Sequence, residues 1–280
     1  MTLPASPIPL AGVIGDPIAH SRSPRIHGHW LARYGLLGHY VPLQVGAPDL
    51  AAVLAAMPRM GFVGANVTLP HKVAALALAS RTTDRARRIG AANTLTFLPE
   101  GGFEADNTDG EGFLRNLRQT APGWRPDAGP ALVLGAGGAA RAVLAALIDA
   151  GTPEIRLANR TAEGAAALAA AFGPAVRPCG WEERATALAG AATLVNATSL
   201  GMTGKPPLDM PLDALAPGAL VTDLVYAPLE TPLLASARAR GAAVVDGLGM
   251  LLHQAAPGFE RWFGRAPEVD AELRRIALAP

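Results

Sequence analysis

Three polar clusters hold side chains suited to a small molecule that is anionic or carries hydroxyls. The first is Ser21-Arg22-Ser23-Pro24, which opens a helical stretch. Ser23 there has the ordinary task of an N-cap, whereas Ser21 keeps a hydroxyl for a ligand at the helix N-terminus. The second is Asn66-Val67-Thr68-Leu69-Pro70-His71-Lys72. Proline suits the first helical position. That leaves Lys72 inside the first turn, where the helix dipole opposes a cation by about 0.3–1 kcal/mol. Two accounts stay open for this lysine: a solvated surface side chain, or a functional group kept against a local rule. The third cluster is Asp106-Asn107-Thr108-Asp109-Gly110. Asp109 either caps the next helix or pairs with Lys72 as an acid–base couple. The spacing does not match a calcium loop, which needs acidic residues at alternate positions, then glycine and a distal Glu.

A glycine-rich turn is the fourth feature. Leu132-Val133-Leu134-Gly135-Ala136-Gly137-Gly138-Ala139-Ala140 sets it directly between a strand and a helix. Gly135 permits the turn, Gly137 lets a pyrophosphate approach the backbone, and Ala140 is small enough for close helix–strand packing. A tight strand–helix turn also takes glycine for its own sake, so a structural reading stands beside the dinucleotide-binding one. The end of the following strand bears on which nucleotide. An acid about 20 residues past the glycines would accept from the ribose hydroxyls of NAD. Here the strand ends Asn159-Arg160-Thr161. A guanidinium in place of a carboxylate suits a 2′-phosphate through paired charge-assisted hydrogen bonds and favours NADP. The missing acid also weighs against an S-adenosylmethionine-dependent methyltransferase. His27 and His29 lie two apart, off one helical face and without a nearby acid, so they read as packing or surface residues. His71 and His253 neighbour the polar stretches. No metal site is expected, and Cys179 reads as inert.

Short apolar runs alternating with alanine-rich helical stretches position these clusters. Up to residue 106 the pattern gives strand 10–15, helix 24–34, strand 39–43, helix 47–57, strand 62–67, helices 70–79 and 84–89, and a hairpin of strands 92–97 and 103–106. That describes a mostly parallel sheet with an antiparallel edge. After a helix at 110–118, the Pro- and Gly-rich stretch 120–130 marks a passage to a second half. There strands 131–134, 154–158, 193–196, 220–224 and 243–245 alternate with helices 139–150, 162–172, 181–188 and 232–240. This is the plan of a doubly wound nucleotide domain.

Composition narrows the function classes. The chain has 280 residues, half of them hydrophobic, which allows two ordinary domains and excludes wholesale disorder. Lys plus Arg number 24 against 23 Asp plus Glu, a net +1, so no basic excess exists to hold a nucleic acid. One cysteine excludes a disulfide framework and fits a reducing, cytoplasmic setting. No run approaches the roughly 20 apolar residues of a membrane span, and the opening MTLPASPIPL lacks the cationic start of a secretory leader. The Asn-x-Ser/Thr triplets at Asn66, Asn159 and Asn196 are therefore not read as glycosylation acceptors.

In order along nearly the whole chain, several stretches resemble the shikimate dehydrogenase family. They are Gly15-Asp16-Pro17-Ile18-Ala19-His20-Ser21-Arg22-Ser23-Pro24, Gly64-Ala65-Asn66-Val67-Thr68-Leu69-Pro70-His71-Lys72, Gly90-Ala91-Ala92-Asn93-Thr94 and Asp106-Asn107-Thr108-Asp109-Gly110. The glycine turn, Asn159-Arg160-Thr161, Asn196-Ala197-Thr198-Ser199 and Asp246-Gly247-Leu248-Gly249-Met250-Leu251 continue the series. The resemblance implies an α/β fold: an N-terminal mostly parallel α/β substrate domain at 1–108, a Rossmann-type doubly wound NADP-binding domain at 109–246, and C-terminal helices at 247–280 returning to the substrate domain. It implies reversible reduction of 3-dehydroshikimate to shikimate with NADPH, in aromatic amino-acid biosynthesis. Ser21 and Ser23 would bind the substrate carboxylate. Thr68, Lys72, Asn93, Asp109, Tyr226 and Gln254 would hold the rest of the substrate, with Lys72 and Asp109 the catalytic pair. Gly135, Ala136, Gly137, Gly138 and Ala139 would take the pyrophosphate, and Asn159, Arg160 and Thr161 the 2′-phosphate and ribose. Ala197, Thr198, Leu224, Gly247 and Met250 would line the nicotinamide end. The partner implied is a small molecule, with neither nucleic acid nor membrane, and a homodimer stands as the assembly to test. One departure concerns the cofactor. Family members that use NADP often carry another basic residue after the Asn-Arg-Thr triplet, where this chain has Glu163 and Gly164. Oxidation of quinate or aminoshikimate, with NAD, and a nucleotide-binding regulator without catalysis are the alternatives.

Overall fold

The computed structural model describes residues 8–279, so most of the opening segment read above for a leader lies outside it. The chain forms two compact units, one running to Thr108 and resuming at Leu251, the other spanning Asp109–Met250. The second crossing falls between Met250 and Leu251 rather than at 246/247. Met250 packs into the second unit's core with Phe113 and Val245, which places the start of that helix there.

The first unit contains β1 (Leu10–Gly15), α1 (Ser23–Arg33), β2 (His39–Gln44), α2 (Leu50–Ala56), β3 (Phe62–Val67), α3 (Lys72–Ala77), β4 (Arg81–Thr82), α4 (Asp84–Ile89), β5 (Thr94–Phe97) and β6 (Phe103–Asp106). Its described strands form one sheet in the order β2-β1-β3-β5-β6-β4. β1 is parallel to β2 and β3, β5 is antiparallel to β3 and β6, and β4 is parallel to β6. The start of β5 therefore shares one sheet edge with the ends of β1, β3 and β6. One face buries Ile14, Leu54, Val67, Leu95 and Ala105; Ala11, Val13, Tyr40 and Trp262 form a second cluster. Cover on both faces explains the near-continuous apolar runs of β1 and β3.

The second unit opens with α5 (Asp109–Thr120) and continues through β7 (Ala131–Leu134), α6 (Gly138–Asp149), β8 (Ile155–Asn159), α7 (Ala162–Phe172), β9 (Val176–Gly180), α8 (Arg184–Ala187), β10 (Thr193–Asn196), β11 (Leu220–Asp223), α9 (Pro232–Ala239), β12 (Ala243–Val245) and the start of α10 (Leu248–Phe263). The rest of α10, with α11 (Ala271–Leu278), belongs to the first unit. All described pairings here are parallel, in the order β12-β11-β10-β7-β8-β9. The order reverses between β7 and β10, which is where nucleotides bind in open α/β sheets.

Several local expectations give way to the structure. The helix expected over 47–57 is broken into 3₁₀ turns at Ala47–Asp49 and Met57–Met60 around α2, each with a proline in its first positions. α3 begins at Lys72, not at Pro70, because the His71 N–H closes a turn onto the Thr68 carbonyl (2.9 Å) before the helix starts. α1 begins at Ser23 itself, with Arg22 in the cap position. β4 and β9 were not expected. β4 is two residues long, and β9 carries Pro178 on the sheet edge, where a missing N–H is tolerated.

Candidate active site

The shared edge of the first sheet gathers six of the eight expected substrate residues. Ser21 and Ser23 follow β1, Thr68 and Lys72 follow β3, Asn93 precedes β5, and Gln254 comes in on α10. The capping role expected of Ser23 falls to Ser21. The Ser21 hydroxyl accepts the Ser23 N–H at 3.3 Å, so Ser21 performs local capping. Ser23 makes no side-chain cap bond and is instead buried, its hydroxyl bonded to the Tyr40 phenol. Burial drives that phenol well above its ordinary pKa, against the opposing Ser23 hydrogen bond.

From Tyr40 a chain of buried polar groups crosses the sheet. The Tyr40 hydroxyl donates to Asn66 Oδ1 (2.7 Å), and Asn66 Nδ2 donates to the Asn93 carbonyl (3.1 Å) and to Thr94 Oγ1 (3.2 Å). Asn93 is the hub. Its amide nitrogen donates to Thr108 Oγ1 and Gln254 Oε1, both at 2.9 Å, while its amide oxygen accepts the Thr108 N–H (2.8 Å) and the Thr94 hydroxyl (2.9 Å). Thr108 Oγ1 then donates to the Gln254 carbonyl at 2.8 Å. Buried polar groups this well satisfied hold one arrangement, because any misplacement strands a donor or acceptor away from water.

Lys72 is only partly buried, and its carbonyl accepts the Ala92 N–H at 2.8 Å. Its backbone is thus fixed one residue from the Asn93 hub, to which Thr108 is also bonded. Asp109 follows Thr108 and is the first residue of α5, so it does not cap a helix beginning at Gly110. His71 is committed elsewhere: its Nε2 donates to the Val45 carbonyl at 2.7 Å, pinning the β3 turn to the end of β2. His27 is fully buried and stacks on Tyr40 with centroids 3.8 Å apart. Burial holds its pKa down at about 3, so it is a neutral packing residue at working pH. Among the described residues no group of three or more His, Cys, Asp or Glu could hold a metal.

In the second unit the expected cofactor residues occupy the carboxyl edge of the parallel sheet. Gly135 has φ +102°, and a Cβ there would lie 2.9 Å from Thr198 Cγ2 and 3.1 Å from the Ala197 carbonyl oxygen. The turns after β7 and β10 therefore touch across the switch point only because residue 135 is glycine. Gly137 is extended at the cap of α6, is exposed, and no protein atom lies within 4 Å of where its Cβ would be. The N-terminus of α6 is thus open to an anion, as a pyrophosphate requires. At the end of β8, Asn159 Nδ2 donates to the carbonyl and hydroxyl of Thr161, both at 2.9 Å, and Arg160 is exposed. Gly247 approaches so closely that a Cβ would sit 2.3 Å from the Leu224 carbonyl oxygen. Ala136, Ala197 and Leu224 pack against the cluster containing Met250. Tyr226, partly buried, stands in the turn after β11.

Comparison with known proteins bears on these features. Residues 13–95 match the model of the shikimate dehydrogenase substrate-binding domain, 126–202 that of shikimate/quinate 5-dehydrogenase, and 247–271 that of the shikimate 5′-dehydrogenase C-terminal domain. The NADP(+)-dependent shikimate dehydrogenase of Paracoccus denitrificans is 66% identical over 271 residues, covering 97% of this chain and 96% of that one. The chain belongs to the shikimate dehydrogenase family. Among solved structures, the Thermus thermophilus shikimate 5-dehydrogenase in complex with NADP(H) and shikimate has a TM-score of 0.84 at 40% identity, covering 96% of this chain and 98% of that one. The Corynebacterium glutamicum quinate dehydrogenase in complex with NAD has a TM-score of 0.87 at 31% identity, covering 96% of each chain.

For a shikimate dehydrogenase, four residues of the buried network were given no site role in the sequence. Tyr40, Thr94 and Thr108 complete that network. Thr94 and Thr108, though within the stretches quoted above, look like ordinary turn residues beside strands, and Tyr40, inside β2, came with no local signal. Asn66 did carry one: a carboxamide at the end of an otherwise apolar strand. The Gly164 departure has a structural counterpart. A Cβ at Gly164 would lie 2.9 Å from Asn159 Nδ2 and 3.1 Å from Thr161 Oγ1, so the Asn159 side chain folds over the space that a larger residue would enter.

Proposed function

We propose that this chain catalyses the NADP-dependent, reversible reduction of 3-dehydroshikimate to shikimate. The observation that carries the reading is the single sheet edge holding Ser21, Thr68, Lys72, Asn93 and Gln254. Its amides and hydroxyls match an acid whose several ring hydroxyls each need a buried partner. The second unit fits a dinucleotide, with an open helix N-terminus at Gly137 and an exposed guanidinium at Arg160 where NAD-specific sites carry an acid. When bound, NADPH supplies the hydride.

The residues of the chain bind the substrate, align it and manage one proton. Ser21 and Ser23 bind the substrate carboxylate. Thr68, Asn93, Tyr226 and Gln254 hold the ring substituents. In reduction the Lys72 ammonium gives a proton from Nζ to the oxygen that becomes the alcohol, and in oxidation the neutral amine takes it back. Asp109 orients the ammonium and a ring hydroxyl. A cytoplasmic setting suits an enzyme that draws on the NADPH pool. Near-balanced charge leaves a small molecule, not a nucleic acid, as the partner.

The deciding experiment is steady-state specificity for shikimate and quinate, each with NADP+ and NAD+. Shikimate with NADP+ should give the highest kcat/KM; a preference for quinate with NAD+ would reassign the substrate and cofactor. Two variants test the binding roles. Ser21→Ala should raise the KM for shikimate about tenfold, as loss of one hydrogen bond to a carboxylate does. An unchanged KM would move the carboxylate site elsewhere. Arg160→Ala should weaken NADP+ by about 10–100-fold and NAD+ hardly at all, since only the former offers a phosphate to the guanidinium. Equal losses would remove Arg160 from the 2′-phosphate.

A further inference from the structure

Asp223 closes β11 and is wholly buried. Its Oδ1 accepts Asn196 Nδ2 at 2.9 Å and the Val225 N–H at 3.0 Å, and its Oδ2 accepts the Thr231 hydroxyl at 2.7 Å. Among the described residues it forms no ion pair, and burial pushes its pKa up to about 6 against those three hydrogen bonds. A buried acid without a cation lowers stability. Since its folded pKa lies above the ordinary carboxyl value, that penalty is absent below about pH 4 and complete above about pH 6. An acid kept at such a cost is best explained by what its acceptors hold.

They hold two turns. Asn196, oriented by Asp223, uses its amide oxygen to accept the backbone N–H (3.0 Å) and the hydroxyl (2.7 Å) of Thr198. It also donates to the Leu200 carbonyl at 3.1 Å, and Thr198 Oγ1 accepts the Leu200 N–H at 3.0 Å. That fixes the turn carrying Ala197 and Thr198 beside Gly135. The bonds to Val225 and Thr231 fix the turn carrying Tyr226, and the Thr203 N–H to the Ala227 carbonyl (2.8 Å) ties the two turns together further out. Both turns hang from one carboxyl at adjacent strand ends.

We propose that Asp223 is a positioning residue for hydride transfer, setting the nicotinamide-side turn and the Tyr226 turn in mutual register through Asn196, Val225 and Thr231. This rests on the reading that Ala197 and Thr198 face the nicotinamide and Tyr226 the substrate. The geometry needs acceptors rather than charge. An amide at 223 keeps one oxygen for Asn196 and Val225 and turns its NH2 to Thr231 Oγ1, which can accept.

Asp223→Ala and Asp223→Asn are compared with wild type in kcat with shikimate and NADP+, in NADPH affinity by fluorescence titration, and in thermal midpoint. Asp223→Ala should lower kcat about 10–100-fold, the scale of an ångström of misalignment, with NADPH affinity changed less than about threefold. Asp223→Asn should recover most of kcat. A kcat for Asp223→Ala within about twofold of wild type overturns the proposal, as does a loss shared equally by NADPH affinity or one that Asp223→Asn fails to repair. If Asp223→Ala does not fold, Thr231→Val removes the single bond to Oδ2, and a kcat that stays at wild type with this variant has the same overturning force. Wild-type turnover of shikimate tests the underlying reading separately, because the Asp223 result is a ratio to it.

Discussion

Lys72→Ala is expected to lower kcat for shikimate by about 10²–10⁴-fold, the loss that follows removal of a general acid–base group, while NADPH binds as tightly as before. The Lys72 carbonyl accepts the Ala92 N–H, and the preceding His71 N–H closes the turn onto the Thr68 carbonyl. Truncating the side chain therefore leaves the turn and the Asn93 hub standing. The residues read as holding NADPH lie in the second unit, so its affinity reports on that unit's folding independently of the chemistry, and a thermal midpoint reports on the whole. Lys72→Arg separates proton transfer from charge. A guanidinium keeps the positive charge but does not give up a proton at working pH, so it should fail to restore oxidation of shikimate. If Lys72→Arg restores kcat, Lys72 acts as a fixed charge; if Lys72→Ala keeps wild-type kcat, it takes no part in the reaction.

What could be read from the chain alone was whatever a few neighbouring residues decide. Gly135 had to be glycine because of its own backbone angle and the contact with Ala197, and it announced itself through its place between a strand and a helix. Arg160 could be placed for the same reason, as the residue just past the end of β8. Ser23 was read as the N-cap, but the helix already begins there and Ser21 accepts the Ser23 N–H. The cap is settled by which residue first turns helical, and a shift of one position decides it. Lys72 was expected within a turn begun by Pro70, but the Thr68–His71 hydrogen bond delays the helix until Lys72 itself. The Asn93 hub was beyond reach in a different sense. Its bond to Gln254 spans 161 positions, so no local pattern contains both ends. Asp223 was hidden too, since the acid that organises two turns resembles any polar residue closing an apolar strand.

Asp106→Ala is expected to destabilise the protein by about 2–4 kcal/mol, toward the lower end of what losing one partner of a buried ion pair costs. The Asp106 side chain is fully buried, whereas Arg85 and Arg261 are about one-third exposed, and water can soften their loss. Oδ1 accepts the Thr83 hydroxyl (2.7 Å) and Arg85 Nε (2.5 Å), and Oδ2 takes Arg85 and Arg261 at 2.5 and 2.7 Å. Three elements meet on this carboxylate: β6, which it ends, α4, whose cap is Thr83, and α10, which carries Arg261. Alanine would take this buried anion from both guanidinium groups, leaving Arg261 its longer contact with Glu104 at 3.7 Å. Burial works against the charged form of Asp106, but the hydrogen bonds and charges of Arg85, Thr83 and Arg261 prevail and hold its pKa down at about 2. Because the folded pKa lies below the ordinary carboxyl value, the stabilisation is complete above about pH 4 and is lost as pH falls through about 2. Urea unfolding of wild type and Asp106→Ala should therefore show a full gap at pH 7 that narrows below pH 4. A gap under about 0.5 kcal/mol at pH 7, within the range of ordinary surface substitutions, or one that stays constant down to pH 3, would mean that the carboxylate does not hold these elements together. The Asp106 carbonyl also accepts the Asn93 N–H at 3.0 Å, so loosening the end of β6 shifts the hub on which Thr108 and Gln254 depend. Asp106→Ala should thus raise the KM for shikimate as well as lower stability, although the Asp106 carboxylate itself is spent on Thr83, Arg85 and Arg261.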